Sequence, residues 1–137
     1  MDKLRPKVAV NVFVVKDNKL LLGKRKGTGD GFWGLPGGHL EYMETLVTGA
    51  KRELLEETGL TADLTFENII SDPMKDDNTH YIHINFLAHN VANEPKLMEP
   101  NKCYEWKWFP MNELPENIFC GHKKIIPAFL SKTIFVD

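Results

Sequence analysis

The sequence predicts one α/β domain, on three observations. Residues 8–15 form a run that is apolar on both faces, interrupted by Asn11 alone, which is the pattern of a strand inside a covered sheet. Residues 45–58 place Leu46, Val47, Ala50 and Leu54 at helical spacing on one face. The remaining segments read mostly as strands, with one further helix near the end and no repeat, low-complexity tract or linker.

Each element has its local reason. Lys16-Asp17-Asn18-Lys19 is a polar turn, and residues 20–25 return as a second strand. Gly27, Gly29 and Gly31 predict a loop. Within 33–41, Leu35-Pro36-Gly37-Gly38 predicts a special backbone turn between short extended pieces. The helix over 45–58 ends at Gly59, a natural C-terminal cap. Residues 64–71 and 80–89 read as strands around a polar loop at 72–79. A long connection over 91–102 holds Pro95 and Pro100, and a strand over 103–109 leads into a Pro-flanked turn at 110–115. Residues 122–132 predict a closing helix that Pro127 kinks or restarts.

The bulk numbers narrow the function classes. A chain of 137 residues, 42% hydrophobic and 26% charged, suits one domain over 1–137 that buries a core without staples. A net charge of -2 argues against a general nucleic-acid polymer binder, so any phosphate site must be built locally. Cys103 and Cys120 match no zinc spacing and are too few for a disulfide framework, which makes a reducing, cytoplasmic setting the expectation. Met1 to Pro6 carry no apolar signal core, and no stretch approaches a membrane span.

The chemistry concentrates on the predicted helix. Glu53, Glu56 and Glu57 fall within an arc of about 100° and project from one stripe. A solvated acidic face is the plain reading of such a stripe. Against it, like charges three and four residues apart cost a helix roughly 0.2–0.5 kcal/mol per pair. They also lie toward the C-terminal end, where the helix dipole disfavours negative charge. A divalent cation removes the conflict, and carboxylate oxygens suit Mg2+ or Mn2+. The Gly37-Gly38 pair permits close backbone approach, making a carbonyl there a candidate ligand. Arg52 has the fork to hold a carboxylate bidentately. Glu44 is either a simple helix-start acid or the partner of Arg52.

Gly38, Glu44, Arg52-Glu53-Leu54, Glu56-Glu57 and Gly59-Leu60 meet every specified position of Gly-x5-Glu-x7-Arg-Glu-U-x-Glu-Glu-x-Gly-U, with U aliphatic, and by this the chain resembles the Nudix hydrolases. The resemblance implies an α/β/α sandwich with a mixed β-sheet. It implies Mg2+, with Mn2+ as the alternative ion, on Glu53, Glu56, Glu57 and the Gly37 carbonyl. It gives Glu53 the part of general base, oriented by Arg52 and Glu44. The family's reaction is attack of water on phosphorus in a nucleoside diphosphate linked to another group.

The likeness extends from Val8 to about Phe119. Leu21-Leu22-Gly23-Lys24-Arg25-Lys26-Gly27, Leu35-Pro36-Gly37-Gly38-His39-Leu40-Glu41, Glu94-Pro95-Lys96 and Glu99-Pro100-Asn101-Lys102-Cys103-Tyr104-Glu105-Trp106-Lys107-Trp108 resemble the MutT-homologue nucleotide triphosphate diphosphatases. That subgroup implies conversion of a nucleoside triphosphate, oxidised or modified bases included, to monophosphate and pyrophosphate, by a homodimer. After Phe119 the likeness fades, with Cys120 and His122 where the subgroup has bulkier apolar residues.

Outside the helix the candidates each have two readings. On the strand holding Tyr81, His83 and Asn85 on one face, His83 either faces a base or is a satisfied strand histidine. Phe119 either stacks on a base, with Gly121 and Gly38 backbone groups beside the substrate, or is core. Arg25 or Lys24 reaches phosphate or ribose, or ends a solvated strand. Glu99 is a further metal ligand or an alternative base, ahead of Glu105, or neither. Trp106 and Trp108 read as core or dimer contacts, and Lys123-Lys124 as a solvated helix face.

Three functions follow in order: a nucleoside triphosphate diphosphatase; a hydrolase of another derivative such as ADP-ribose, a nucleotide sugar, a dinucleotide or dihydroneopterin triphosphate; and a non-enzymatic Nudix-fold binding protein. The start of the motif at Gly38 leaves no extra N-terminal domain, which weighs against the ADP-ribose type. Retention of every motif glutamate weighs against the binding protein.

Overall fold

A computed structural model describes residues 3–137; Met1 and Asp2, part of the segment read above as lacking a signal core, lie outside the described residues. The strands are β1 (Lys7–Phe13), β2 (Val15–Lys16), β3 (Lys19–Arg25), β4 (Trp33–Gly34), β5 (Gly37–His39), β6 (Thr61–Met74), β7 (Thr79–Ala92), β8 (Cys103–Pro110) and β9 (Phe135–Val136). The helices are α1 (Leu46–Thr58) and α2 (Ile125–Leu130), with single 3-10 turns at Lys75–Asp77 and Cys120–His122.

The main sheet runs β5-β1-β7-β6-β9. It is mixed: β1 lies parallel to β7 and β6 parallel to β9, while β5 and the β6–β7 hairpin pair antiparallel. A smaller sheet joins β2, β3 and β4, with β8 along the other edge of β3. The expected strand over 8–15 is divided at Val14, where the chain leaves β7 and β5 to pair with β3 in the second sheet.

Strand alternation sorts the core into two layers. Val10, Val12, Val14, Ile84 and Phe86 pack with Ala50, Leu54 and Leu60 on the α1 side. Phe13, Leu20, Leu22 and Ile70 pack with Ile125, Ile126 and Ala128 on the α2 side. Each fully buried aliphatic side chain contributes about 1.5–3 kcal/mol, so these layers fix the sheet between its helices. This is the expected α/β/α arrangement with a mixed sheet.

Several boundaries differ from the sequence reading, each for a tertiary reason. Leu46 and Val47, expected on the core face of α1, are 39% and 40% exposed; the face that packs carries Gly49, Ala50, Leu54 and Thr58. β6 and β7 continue through most of the expected polar loop and leave only a short turn, because ladder pairing extends to Met74 and Thr79. The closing helix starts at Ile125 instead of residue 122. Pro127 sits in its first turn, where no helical N–H is needed, and so neither kinks nor restarts it. β9 was not legible: two residues gain strand geometry only by lying along Ile69 and Ile70.

Candidate active site

Helix α1 and strand β5 build one wall of the site. Thr45 caps α1 by accepting from the Thr48 N–H, and Gly59 closes it with its N–H on the Leu55 carbonyl. Such a side-chain cap is worth about 1 kcal/mol. The helix lies against β1 and β5 so closely that a Cβ on Gly38 would stand 2.6 Å from the Glu53 carboxylate. Gly38 is needed for this approach, and with it the glutamate stripe turns toward the Gly37-Gly38 backbone.

Arg52 organises the carboxylates. Its Nε donates to Glu44 Oε2 at 2.6 Å and its Nη2 to Glu44 Oε1 at 3.0 Å. Nη1 donates to Glu53 Oε1 at 2.8 Å and to Glu56 Oε2 at 3.3 Å, and Nη2 also reaches the His39 carbonyl at 3.1 Å. The Glu41 N–H donates to Glu44 Oε1 at 3.0 Å, which fixes the second partner of the clamp. These bonds from Arg52, followed by that backbone N–H, hold the Glu44 carboxyl down to about 2. Glu44 in turn raises the Arg52 guanidinium above its ordinary value, with Glu53 adding to it.

Glu57 sits deepest. The Gly37 N–H donates to its Oε1 at 3.0 Å. Burial pushes its carboxyl well above the usual carboxylate range, the Gly37 bond opposes this, and the negative charges of Glu53 and Glu99 add to it. A buried carboxylate crowded by two others is a site that a cation stabilises. Among the described residues, no three acidic, histidine or cysteine side chains already converge as a finished metal cage. Glu53 and Glu56 are instead turned to Arg52.

Glu53, Glu56, Glu57 and Glu99 all line one open cleft of about 530 Å³, and Arg25, Lys26 and Lys102 line it with them. The basic side is tied to the loop carrying Glu99: Lys26 Nζ donates to the Pro100 carbonyl at 3.3 Å, and Lys102 Nζ lies 3.6 Å from Glu99 Oε2. Arg25 donates from Nε to the Thr28 carbonyl and stacks its guanidinium 3.7 Å from the Phe119 ring centre. Burial lowers the Arg25 pKa, with Glu57 opposing. Carboxylates and cations lining one cleft suit a polyphosphate held partly by ions and partly by protein.

The structure thus brings together Glu53, Glu56, Glu57, Glu99, Gly37, Gly38 and Arg25. It separates others. Lys24 alternates away from Arg25 and lies 5.8 Å from the Tyr104 ring, outside the cleft lining. His83, read as a possible contact to the base, is 3% exposed and turned into a buried network with Asn11 and Asp72. Phe119 lies beneath Arg25 and against Gly29, and Gly121 is buried under the Phe119 ring, so neither lines the cleft. Glu44 stands behind the cleft, on Arg52. Lys124, expected in solvent, reaches Asp72 Oδ1 at 3.2 Å.

Three residues lining the cleft, and one that supports it from behind, escaped sequence reading. Lys26 and Lys102 line the cleft only because β3 and the loop before β8 meet there, as the Lys26 N–H bond to the Lys102 carbonyl shows. Trp106, read as core or dimer contact, both packs on the α1-side core and lines the cleft, donating its indole N–H to the Glu57 carbonyl at 3.1 Å. His122 accepts the Leu35 N–H at 3.0 Å and is held neutral, its pKa lowered to about 3 by burial and then by His83 and Arg25.

Comparisons with known proteins agree with this geometry. The family model for the NUDIX domain matches residues 5–129. The chain is 38% identical over 129 residues to an ADP-ribose pyrophosphatase of Methanocaldococcus jannaschii, covering 93% of this chain and 75% of that protein. It is 33% identical over 138 residues to an oxidized purine nucleoside triphosphate hydrolase of Mus musculus, covering 82% and 83%. The crystal structure of a MutT NUDIX hydrolase from Burkholderia pseudomallei superposes with a TM-score of 0.84 at 27% identity, over 90% of this chain and 98% of that one.

Proposed function

This chain belongs to the Nudix family, as a pyrophosphohydrolase of nucleotide derivatives, and from that premise we propose that it converts nucleoside triphosphates, oxidised or modified ones included, to monophosphate and pyrophosphate with Mg2+. One observation carries the reading: five carboxylates, Glu41 among them, and three cations line the same 530 Å³ cleft. A triphosphate chain offers more anionic oxygens than the ions would coordinate, and Arg25, Lys26 and Lys102 line the same cleft as donors for the others.

Glu53, Glu56, Glu57 and Glu99, with the Gly37 carbonyl, would hold the ions; their hard oxygens and the crowding around Glu57 fit Mg2+, with Mn2+ as a substitute. Bound there, the ions supply neutralisation of phosphate charge and acidification of a water. The chain's own part is positional. Arg52, set by Glu44, holds Glu53 by its Oε1 beside Gly38. Glu53 takes the proton of the attacking water as its oxygen bonds to phosphorus and the bridging P–O bond breaks. Arg25 and the lysines fix the substrate's phosphates. The same reading makes the enzyme a cytoplasmic homodimer; among the described residues no helix is long and apolar enough to cross a membrane.

A second reading, ADP-ribose as substrate, is favoured by the relative of that name, similar over 93% of this chain. A substrate panel compared by kcat/KM, with products identified, separates the two. Pyrophosphate from a triphosphate as the preferred reaction supports the proposal. Preference for ADP-ribose, giving AMP and ribose phosphate, or release of inorganic phosphate alone, contradicts it.

A further inference from the structure

Strand β1 carries a polar residue that the cleft does not use. Asn11 interrupts an otherwise apolar strand, yet it is 2% exposed. Its Nδ2 donates to Asn85 Oδ1 at 2.9 Å and lies 3.4 Å from His83 Nδ1, which must accept because an amide nitrogen only donates. His83 therefore carries its proton on Nε2 and donates to Asp72 Oδ2 at 3.3 Å. Asp72 Oδ1 takes Lys124 at 3.2 Å. On the other branch, Asn85 Nδ2 donates to Asn68 Oδ1 at 2.8 Å, and Asn68 Nδ2 ends the chain buried without a partner. The network crosses β1, β7 and β6 and reaches the start of α2.

These partners fix the rotation of the Asn11 amide. With Nδ2 committed to Asn85 and His83 on β7, Oδ1 faces the opposite neighbour, β5. Asn11 and Gly37 are register partners there, and a Cβ on Gly37 would collide with Asn11 Oδ1 and the Val10 carbonyl. Gly37 is the residue whose N–H holds Glu57. A leucine at position 11 has the branched outline of the amide, with bulkier ends, but nothing for Asn85 and His83 to lock. The far branch ends unpaired at Asn68, but along the arm from Asn11 to Asn85, His83 and Asp72 each donor has its acceptor, and a buried amide so held has little freedom to rotate.

We propose that Asn11 is a positioning residue of the hydrolytic site: its amide, held in one rotation by Asn85 and His83, seats Gly37 so that the Gly37 N–H stays on Glu57. The inference rests on Glu57 being an ion-holding carboxylate, as in the proposed function. Asn11 touches no substrate; it acts two residues removed, through Gly37 and Glu57.

The test uses the full chain and Mn2+ as probe. Free Mn2+ is followed by electron paramagnetic resonance without nucleotide, and kcat and KM are measured separately with it. In Asn11→Leu, kcat falls and the Mn2+ dissociation constant rises, each by about 10-fold, while nucleotide KM stays within about twofold because Arg25, Lys26 and Lys102 are untouched. Leu20→Val, a cut in the α2-side core on β3, where Leu20 pairs with Val15 and Phe109 and not with the network, lowers thermal stability with neither change. If Asn11→Leu is not recovered folded, Asn11→Ser, which leaves room for water in place of the amide, takes the same measurements. Wild-type kcat and Mn2+ affinity in the folded variant, or the same losses in Leu20→Val, overturn the inference. Absence of Mn2+ binding in the wild type overturns the functional reading beneath it instead.

Discussion

Arg52 and Glu44, eight residues apart in the chain, close on each other through two parallel bonds of 2.6 and 3.0 Å across the start of helix α1. The same guanidinium spans Glu53, Glu56 and the His39 carbonyl. One planar fork therefore ties the loop before the helix, the short strand β5 and the acidic stripe into a single unit.

Lysine keeps the charge of Arg52, but its three donors sit on one nitrogen and cannot span these separated partners as the planar fork does. In Arg52→Lys, kcat falls by about 10- to 100-fold as the Glu53 orientation loosens, while the melting temperature drops only slightly, because α1 packs on the sheet through Gly49, Ala50, Leu54 and Thr58. Steady-state kinetics beside a thermal melt check this; loss of stability with unchanged kcat argues that the clamp is structural only.

A methyl group at position 38 enters the space of the Glu53 carboxylate, 2.6 Å away. That carboxylate is the mobile end of a side chain, so it moves and the fold survives. Gly38→Ala thus lowers kcat by about 10-fold or more with near-native circular dichroism. Wild-type turnover in this variant contradicts the placement of Glu53 against Gly38.

Glu53→Gln and Glu57→Gln each lower turnover by at least about 100-fold, the scale of losing an acid–base or ion-holding group. Glu57→Gln does not cost stability comparably, since burial opposes the Glu57 charge and the amide oxygen of glutamine can still accept the Gly37 N–H. Kinetics at saturating Mg2+ check the first statement and melting without metal the second.

His122 gives the fold an acid sensitivity. Its pKa is lowered to about 3 by burial, whereas in the unfolded chain it stays near the usual histidine value of about 6.5. Between these values the unfolded state binds the extra proton, so stability falls as pH drops from about 6.5 toward 3, by at most roughly 1.4 kcal/mol per pH unit. His122→Leu removes this proton but leaves the Leu35 N–H unpaired, costing about 1–3 kcal/mol at neutral pH. Melting curves from pH 7 to 4 show the gap between the two proteins narrowing; parallel curves contradict a neutral His122.

The sequence made some of this legible and not the rest, for physical reasons. The acidic stripe followed from helical periodicity alone, because Glu53, Glu56 and Glu57 lie on one element. Strand alternation also placed His83 and Asn85 on the face opposite Ile84 and Phe86, as the two buried sets confirm. What the sequence withheld was which face meets what. Lys24 and Arg25 are adjacent, and only the pairing of β3 with β8 decides that Arg25 enters the cleft. His83 read as a candidate for base contact, since its partner Asp72 lies eleven residues upstream across the hairpin. Leu46 and Val47 fit helical spacing yet stay half-exposed, because the sheet meets α1 through its smaller residues Gly49 and Ala50.

The central claim is that the acidic stripe of α1 captures divalent ions at a polyphosphate site. Titration of Mn2+ into the full-length protein, read by electron paramagnetic resonance and compared with Glu57→Gln, tests it most directly. The account predicts saturable binding in the wild type and at least about 10-fold weaker binding in Glu57→Gln. Equal affinity in the two proteins, or none in the wild type at saturating metal, contradicts it.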